Sequence, residues 1–102
     1  DAVIAQMESG VIWGLSSAMH EEITIKDGRV VQSNFSDYRI LRLAETPKIE
    51  CVLAPTGGFW GGVGEPPIGA VIPALGNAIF AATGKRVRSL PFKNHGFSYK
   101  SA

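Results

Sequence analysis

The chain has 102 residues, 45% hydrophobic and 19% charged, with a formal net charge of +1. That is one small domain with a modest core, balanced as a globular rather than a disordered chain. The near-neutral charge gives no electrostatic reason to expect nucleic acid or an anionic membrane as the main partner, and the single cysteine, Cys51, excludes an internal disulfide.

Taken in chain order, Ala2 to His20 places Ile4, Met7, Val11, Leu15 and Ala18 at the three-and-four spacing of an amphipathic helix. Gly10 and Gly14 lie inside it, one turn apart. Each costs about 1 kcal/mol against alanine in a helix interior, so close packing of another backbone is the expected compensation. Gln6 lies one turn before Gly10, on the same side. His20 ends the helix, where it is expected to interact with the terminal carbonyls. "EEITIKDGRVVQSNF" reads as a β-hairpin, because Asp27-Gly28 suits a type I′ turn whose two central residues need positive φ. Glu21, Glu22, Lys26, Asp27 and Arg29 form its solvated face.

"DYRILRL" and "KIECVLA" are two further short strand candidates. Ile49, Cys51 and Leu53 share one face of the second, which makes Cys51 a small core residue rather than a reactive thiol. The loop from Pro55 runs to Pro66-Pro67. A second helix then carries Val71, Ile72, Leu75, Ile79 and Ala82 on one stripe and ends at Gly84, with Pro73 fitting if it lies in the first turn. The longest apolar run, Ile68 to Ala82, falls short of the ~18 residues of a membrane span and carries Gly69, Pro73, Gly76 and Asn77. "RVRSLPF" reads as a closing strand or extended segment, and "KNHGFSYKSA" as a tail wrapped over a partner or mobile. The start at Asp1, without a signal-like segment, suggests a processed piece or the tail of something longer. The expected architecture is α+β: two helices with a small antiparallel sheet.

The chemistry legible in the residues alone is thin. His20 and His95 show no metal-ligand spacing with each other or with Cys51. The glycines of "GGFWGGVG" match neither the P-loop nor the dinucleotide fingerprint. Phe59-Trp60 within them is a hydrophobic plug or an exposed stacking pair. Glu65 admits two readings: an acid at a helix start, favoured by the dipole by a few tenths of a kcal/mol, or the reacting group of a buried site.

The segment Gly61 to Phe92, "GGVGEPPIGAVIPALGNAIFAATGKRVRSLPF", resembles the C-terminal end of the molybdenum-binding large subunit of the xanthine oxidase family. The similarity is to the branch containing isoquinoline oxidoreductase and related bacterial aldehyde and nicotinate dehydrogenases. The segment "AQMESGVIWGLSSAMHEEITIKDGRVVQSNFSDYRILR" resembles the helix, hairpin and strand preceding the motif in that branch. The resemblance implies that residues 1–92 are the C-terminal portion of a molybdopterin-binding domain, with 93–102 as a tail. It makes Glu65 the catalytic base, Gln6 a pterin hydrogen-bond donor, and the Gly62, Val63 and Gly64 backbone a lining of the cofactor cleft. No residue here is a metal ligand, since in the family the pterin dithiolene holds the molybdenum.

The implied activity is oxidation of an aldehyde or aromatic N-heterocycle with water as the oxygen source. The implied cofactors are molybdenum–molybdopterin, in its cytosine dinucleotide form, and [2Fe-2S] clusters on a small partner subunit. The remainder of the large subunit and a flavin subunit or cytochrome c complete the expected partners, with no nucleic acid, in the bacterial periplasm or at its membrane. Glycines around Glu65 would let the backbone approach a bulky cofactor, the prolines would fix its direction, and apolar surroundings would tune it as a base. The competing class is a non-catalytic α+β module that keeps the motif only as structure.

Overall fold

A computed structural model describes residues 1–59 and 61–99. Its main elements are two 18-residue helices, α1 (Ala2–Met19) and α2 (Pro66–Thr83). Between them lies one hairpin, β1 (Ile25–Lys26) and β2 (Arg29–Val30), pairing Ile25 with Val30 and Lys26 with Arg29. Asp27 at φ 50° and Gly28 at φ 73° make the turn, as the Asp-Gly pair demands. Short 3-10 turns follow at Leu43–Glu45 and Phe92–His95. The α+β expectation holds, with a sheet of only two short strands.

The further strands do not form. "DYRILRL", "KIECVLA" and "RVRSLPF" have no ladder partner among the described residues, and only the hairpin pairs as a sheet. A strand exists through its neighbour's backbone groups, so alternation without a neighbour leaves an extended segment. Cys51 is accordingly half-exposed rather than in a core, and Leu53 is exposed.

α1 and α2 lie side by side and run the same way. Gly10 faces Pro67, Gly14 faces Ile68 and Val71, and Ala18 and Met19 meet the cluster containing Ile72, Leu75 and Ile79. Both glycines are buried, which explains their presence in a helix interior: the second helix occupies the space a Cβ would need. The small core sits at the C-terminal end of the pair, where Phe92 packs on Ala18 and Met19 with Phe97 and Tyr99 around it. Lys93 to Tyr99 thus dock on the chain's own core, a contact the reading of a mobile tail did not include. Lys93 Nζ donates to the His20 carbonyl at 2.7 Å and Asn94 Nδ2 to Glu22 at 3.0 Å. Lys100–Ala102 lie outside the described residues.

α2 departs from expectation in two respects. It starts at Pro66, so Pro73 falls in its interior rather than its first turn. Its ring removes the donor that Gly69 O would otherwise receive, a local weakening the rest of the helix must carry. The helix is also long and apolar enough, at 18 residues and mean hydropathy 1.3, to cross a membrane by length and composition, which the broken apolar run did not suggest. Only Pro67 of its residues is buried; Ala70, Ala74, Ala78 and Phe80 are exposed. Gly84, at φ 73°, closes the helix, its N–H bonding Phe80 O at 2.8 Å. Arg86 folds back, its guanidinium 3.8 Å above the Phe80 ring and donating to Asn77 Oδ1 at 2.7 Å.

Candidate active site at the shared N-terminal end of the helices

Because the helices are parallel, their N-termini lie at one end of the pair, and their positive dipole ends act together there. Gly10 opposite Pro67 sets the register. Glu65 lies two residues before Pro67, and Gln6 lies one helical turn, about 5–6 Å, before Gly10. The fold therefore brings two residues fifty-nine positions apart to the same end of the molecule. Both side chains are exposed, and neither has a hydrogen bond or ion pair to another described residue. The apolar enclosure expected around Glu65 is not supplied by the described residues.

The local backbone explains why the Glu65 carboxylate is free. Glu65 occupies the N-cap of α2, where an acid ordinarily accepts from the N–H groups of the first turn. Pro66 and Pro67 are the first two helical residues and have no N–H. The next donor, Ile68 N–H, bonds the Glu65 carbonyl at 3.0 Å. No side-chain cap forms. The proline pair thus removes the local partners of the carboxylate while fixing the backbone that follows it. Glu65 stands at the helix start, where the dipole still favours an acid, but it makes no capping hydrogen bond there.

Before Glu65, the loop leaves its backbone uncovered. A Cβ built on Gly61, Gly62 or Gly64 would meet no atom within 4 Å. Gly62 and Gly64 are exposed and Val63 is half-buried. A shallow hollow of about 290 Å³ is lined by Ala54 to Phe59 and Gly61 to Val63. Phe59 is fully exposed, which removes it from any plug formed by this chain; Trp60, the other half of that expectation, lies outside the described residues. The open glycine backbone, the primary amide of Gln6 and the Glu65 carboxylate are hydrogen-bonding groups left without a partner among the described residues, of the kinds that a polar pterin could engage. Among the described residues no group of three or more His, Cys, Asp or Glu could hold a metal.

The opposite end of the pair contains polar residues that sequence reading placed on a solvated face or a helix terminus. Glu21 accepts from Ser16 Oγ at 2.6 Å, Ser17 Oγ at 2.8 Å and Tyr38 OH at 3.2 Å. Ser16 Oγ in turn accepts from Leu41 N–H at 3.0 Å, tying the segment after the hairpin to α1. Burial and the adjacent Glu21 carboxylate raise the Tyr38 hydroxyl. Glu22 lies 3.6 Å from Lys93 Nζ. The usable signal was the Ser-Ser pair with Glu21 four and five residues on, a spacing that folds onto one helix end. His20 does not bond terminal carbonyls through its ring. It is 4% exposed, with Nε2 3.3 Å from Glu45 Oε1 but not aligned as a hydrogen bond. Burial lowers its pKa below 6.5, against the pull of Glu45 and with Arg39 and Lys93 adding to the decrease. Glu45 itself is lowered: burial opposes this, but the Arg42 N–H, His20 and Arg39 outweigh it.

A family model described as a molybdopterin cofactor-binding domain matches residues 1–47, which include Gln6. The beta subunit of isoquinoline 1-oxidoreductase from Brevundimonas diminuta is 41% identical over 93 residues, 91% of this chain and 12% of that protein. A membrane-bound aldehyde dehydrogenase of Gluconacetobacter polyoxogenes, named for pyrroloquinoline quinone, is 40% identical over 93 residues, 91% of this chain and 12% of that protein. The xanthine dehydrogenase molybdenum-binding subunit of Escherichia coli O157:H7 is 32% identical over 93 residues, covering 84% of this chain and 12% of that subunit. The chain thus spans about an eighth of the length of these relatives. A match over 91% of 102 residues necessarily spans Gly62–Pro67. The quinone in one relative's name stands apart from the family model, which names molybdopterin, and from the xanthine dehydrogenase subunit, whose name gives molybdenum. Taken together, the chain belongs to the xanthine oxidase family, as part of its molybdopterin-binding domain.

Proposed function

We propose that this chain supplies the base and part of the cofactor cradle of a molybdenum hydroxylase that oxidises an aldehyde or an aromatic N-heterocycle with oxygen from water. Residues 1–92 form the C-terminal portion of its molybdopterin-binding domain. The observation that carries this reading is the Glu65 carboxylate, held at a helix start by two prolines and left without a capping partner. When bound, the molybdenum–pterin group, in its cytosine dinucleotide form, supplies the two-electron oxidation. Glu65 takes up the proton released as water-derived oxygen attacks the electrophilic carbon. Gln6 donates through its amide to the pterin, and the Gly62, Val63 and Gly64 backbone lines the cleft that admits it. Prolines on one side and glycines on the other let the carboxylate approach the reacting centre while limiting its wander, and positional precision of this kind is what proton transfer uses.

The rest of the large subunit covers the open face of α2 and encloses Glu65. A small subunit with [2Fe-2S] clusters and a flavin subunit or cytochrome c carry electrons away. The name of the membrane-bound aldehyde dehydrogenase relative supports a periplasmic or membrane-associated setting.

Glu65→Gln tests the reading in the purified holoenzyme. Turnover should fall by about three orders of magnitude, within the range general-base catalysis contributes, with molybdenum content and subunit assembly unchanged. Near-normal turnover of a fully loaded Glu65→Gln enzyme would remove Glu65 from the mechanism.

A further inference from the structure

We propose that Gly10 is a positioning residue for Glu65, acting across the helix interface through Pro67. This rests on the reading of Glu65 as the base; the contact that carries it does not. An alanine Cβ at Gly10 would lie 2.8 Å from Pro67 Cβ, 2.9 Å from Cγ and 3.3 Å from Cδ. Carbon atoms in contact sit about 3.5–4.0 Å apart, so one partner must retreat by roughly 0.7–1 Å. A flexible side chain would swing aside, but the proline ring is closed onto its own backbone. Relief therefore has to part α1 from the first turn of α2.

Pro67 is the buried residue of α2, and only Pro66 separates it from Glu65. Both prolines have φ fixed near −65°, which leaves little soft rotation to absorb the movement before it reaches the carboxylate. Gly14 makes the same kind of contact one turn on. Its added Cβ would lie 3.2 Å from Ile68 O and 3.3 Å from Ile68 Cα, and would run into Val71 Cγ1. Gly69, on the same helix as Glu65, has nothing within 4 Å. The close approach at Gly10 thus falls where it can set the base, and a misplacement of about 1 Å at a reacting group can cost ~100-fold in rate.

The test is Gly10→Ala in the holoenzyme, alone and combined with Glu65→Gln, with molybdenum content measured throughout. The single variant should keep its molybdenum and its KM and lose roughly 100-fold in kcat. Its crystal structure should show Pro67 and the Glu65 Cα displaced together from α1 by roughly 0.7–1 Å. In the Glu65→Gln background, the further loss should shrink to about two-fold or less, because the position of a group that no longer accepts the proton ceases to matter. A full 100-fold further loss in that background, or a crystal structure with Pro67 and Glu65 unmoved, would overturn the proposal.

Should Gly10→Ala fail to accumulate, the comparison moves to Pro67→Gly, which removes all three facing atoms. Adding Gly10→Ala there should change kcat by about two-fold or less, whereas a ten-fold further loss would equally overturn it. If Glu65→Gln alone retains turnover, the base reading fails, and the crystallographic displacement still reports on the contact.

Discussion

At the C-terminal end of the helix pair, Ser16, Glu21, Glu22, Tyr38 and Lys93 find partners within the chain, and Phe92, Ala18 and Met19 fill the space between them. At the N-terminal end, Gln6, Glu65 and the glycine backbone before it have none among the described residues. The same two helices build both ends. The difference lies in the residues that flank the helix termini: prolines and glycines at one end, serines, acids and a returning aromatic segment at the other. A chain that satisfies its polar groups at one end can hold that end fixed. The other end then presents unengaged groups at defined positions to a cofactor and to more protein.

The sharpest way to break the comparison is to loosen the closed end and ask whether the open end notices. Phe92 is 3% exposed and packs against Ala18 and Met19. Phe92→Ala should cost about 3–5 kcal/mol in stability by the usual cost of removing a buried phenyl ring. Denaturant unfolding of the assembled enzyme measures this. If the contacts of Gly10 and Gly14 with α2 hold the open end independently, the molecules that remain folded should keep their kcat. A parallel loss of kcat per loaded molybdenum would show the two ends to be one mechanical unit.

How far sequence reading reached follows the same division. The α1 span, its glycine notch, the Asp-Gly turn and the Gly84 stop were legible because each depends on local backbone chemistry or helical spacing. The coincidence of Gln6 and Glu65 at one end was not legible from spacing, since it depends on the helices being parallel, a fact about residues fifty-nine apart. The resemblance named both residues without supplying that reason. The strands at 37–43 and 48–54 failed because alternation specifies a face and not a neighbour. His20, Glu21 and the aromatic tail were misplaced for the converse reason: short polar segments dock on contacts made by distant residues, such as Glu45 and Tyr38, that no local pattern announces.

A smaller effect tests the open end directly. Gln6 is exposed and unpartnered among the described residues, so Gln6→Ala should leave the unfolding midpoint unchanged within error. If its amide donates to the pterin, removing one neutral hydrogen bond, about 1 kcal/mol, should weaken cofactor retention by roughly five- to ten-fold. Molybdenum lost during dialysis against apo-enzyme of the same variant reads this out. A stability loss with normal retention would instead assign Gln6 to packing against the rest of the subunit.

The smallest effect belongs to the closed end and appears only as pH falls. His20 is buried, and its pKa lies below the 6.5 of the free side chain, burial being the leading cause. Below pH 6.5 the unfolded chain takes up a proton that the folded chain does not. The stability tied to a neutral His20 is therefore fully present above pH 6.5 and is lost as pH falls through 6.5 toward the folded value. Glu45, lowered from 4.5 by the Arg42 N–H, His20 and Arg39, and the exposed Asp37, lowered from 3.8 by the Ser33 and Asn34 N–H groups, contribute in the same direction only at lower pH. The window between about pH 6.5 and 5 thus isolates the histidine from those two carboxylates. His20→Gln, which keeps an amide in place of the ring nitrogen, should flatten the stability profile in that window, while below pH 4.5 the slope should lose only the part of the Glu45 lowering that His20 supplies, the Arg42 N–H and Arg39 keeping the rest. If the profile across that window is unchanged in the variant, the ring is not held neutral by its burial, and the closed end owes its rigidity to Glu21 and Phe92 instead.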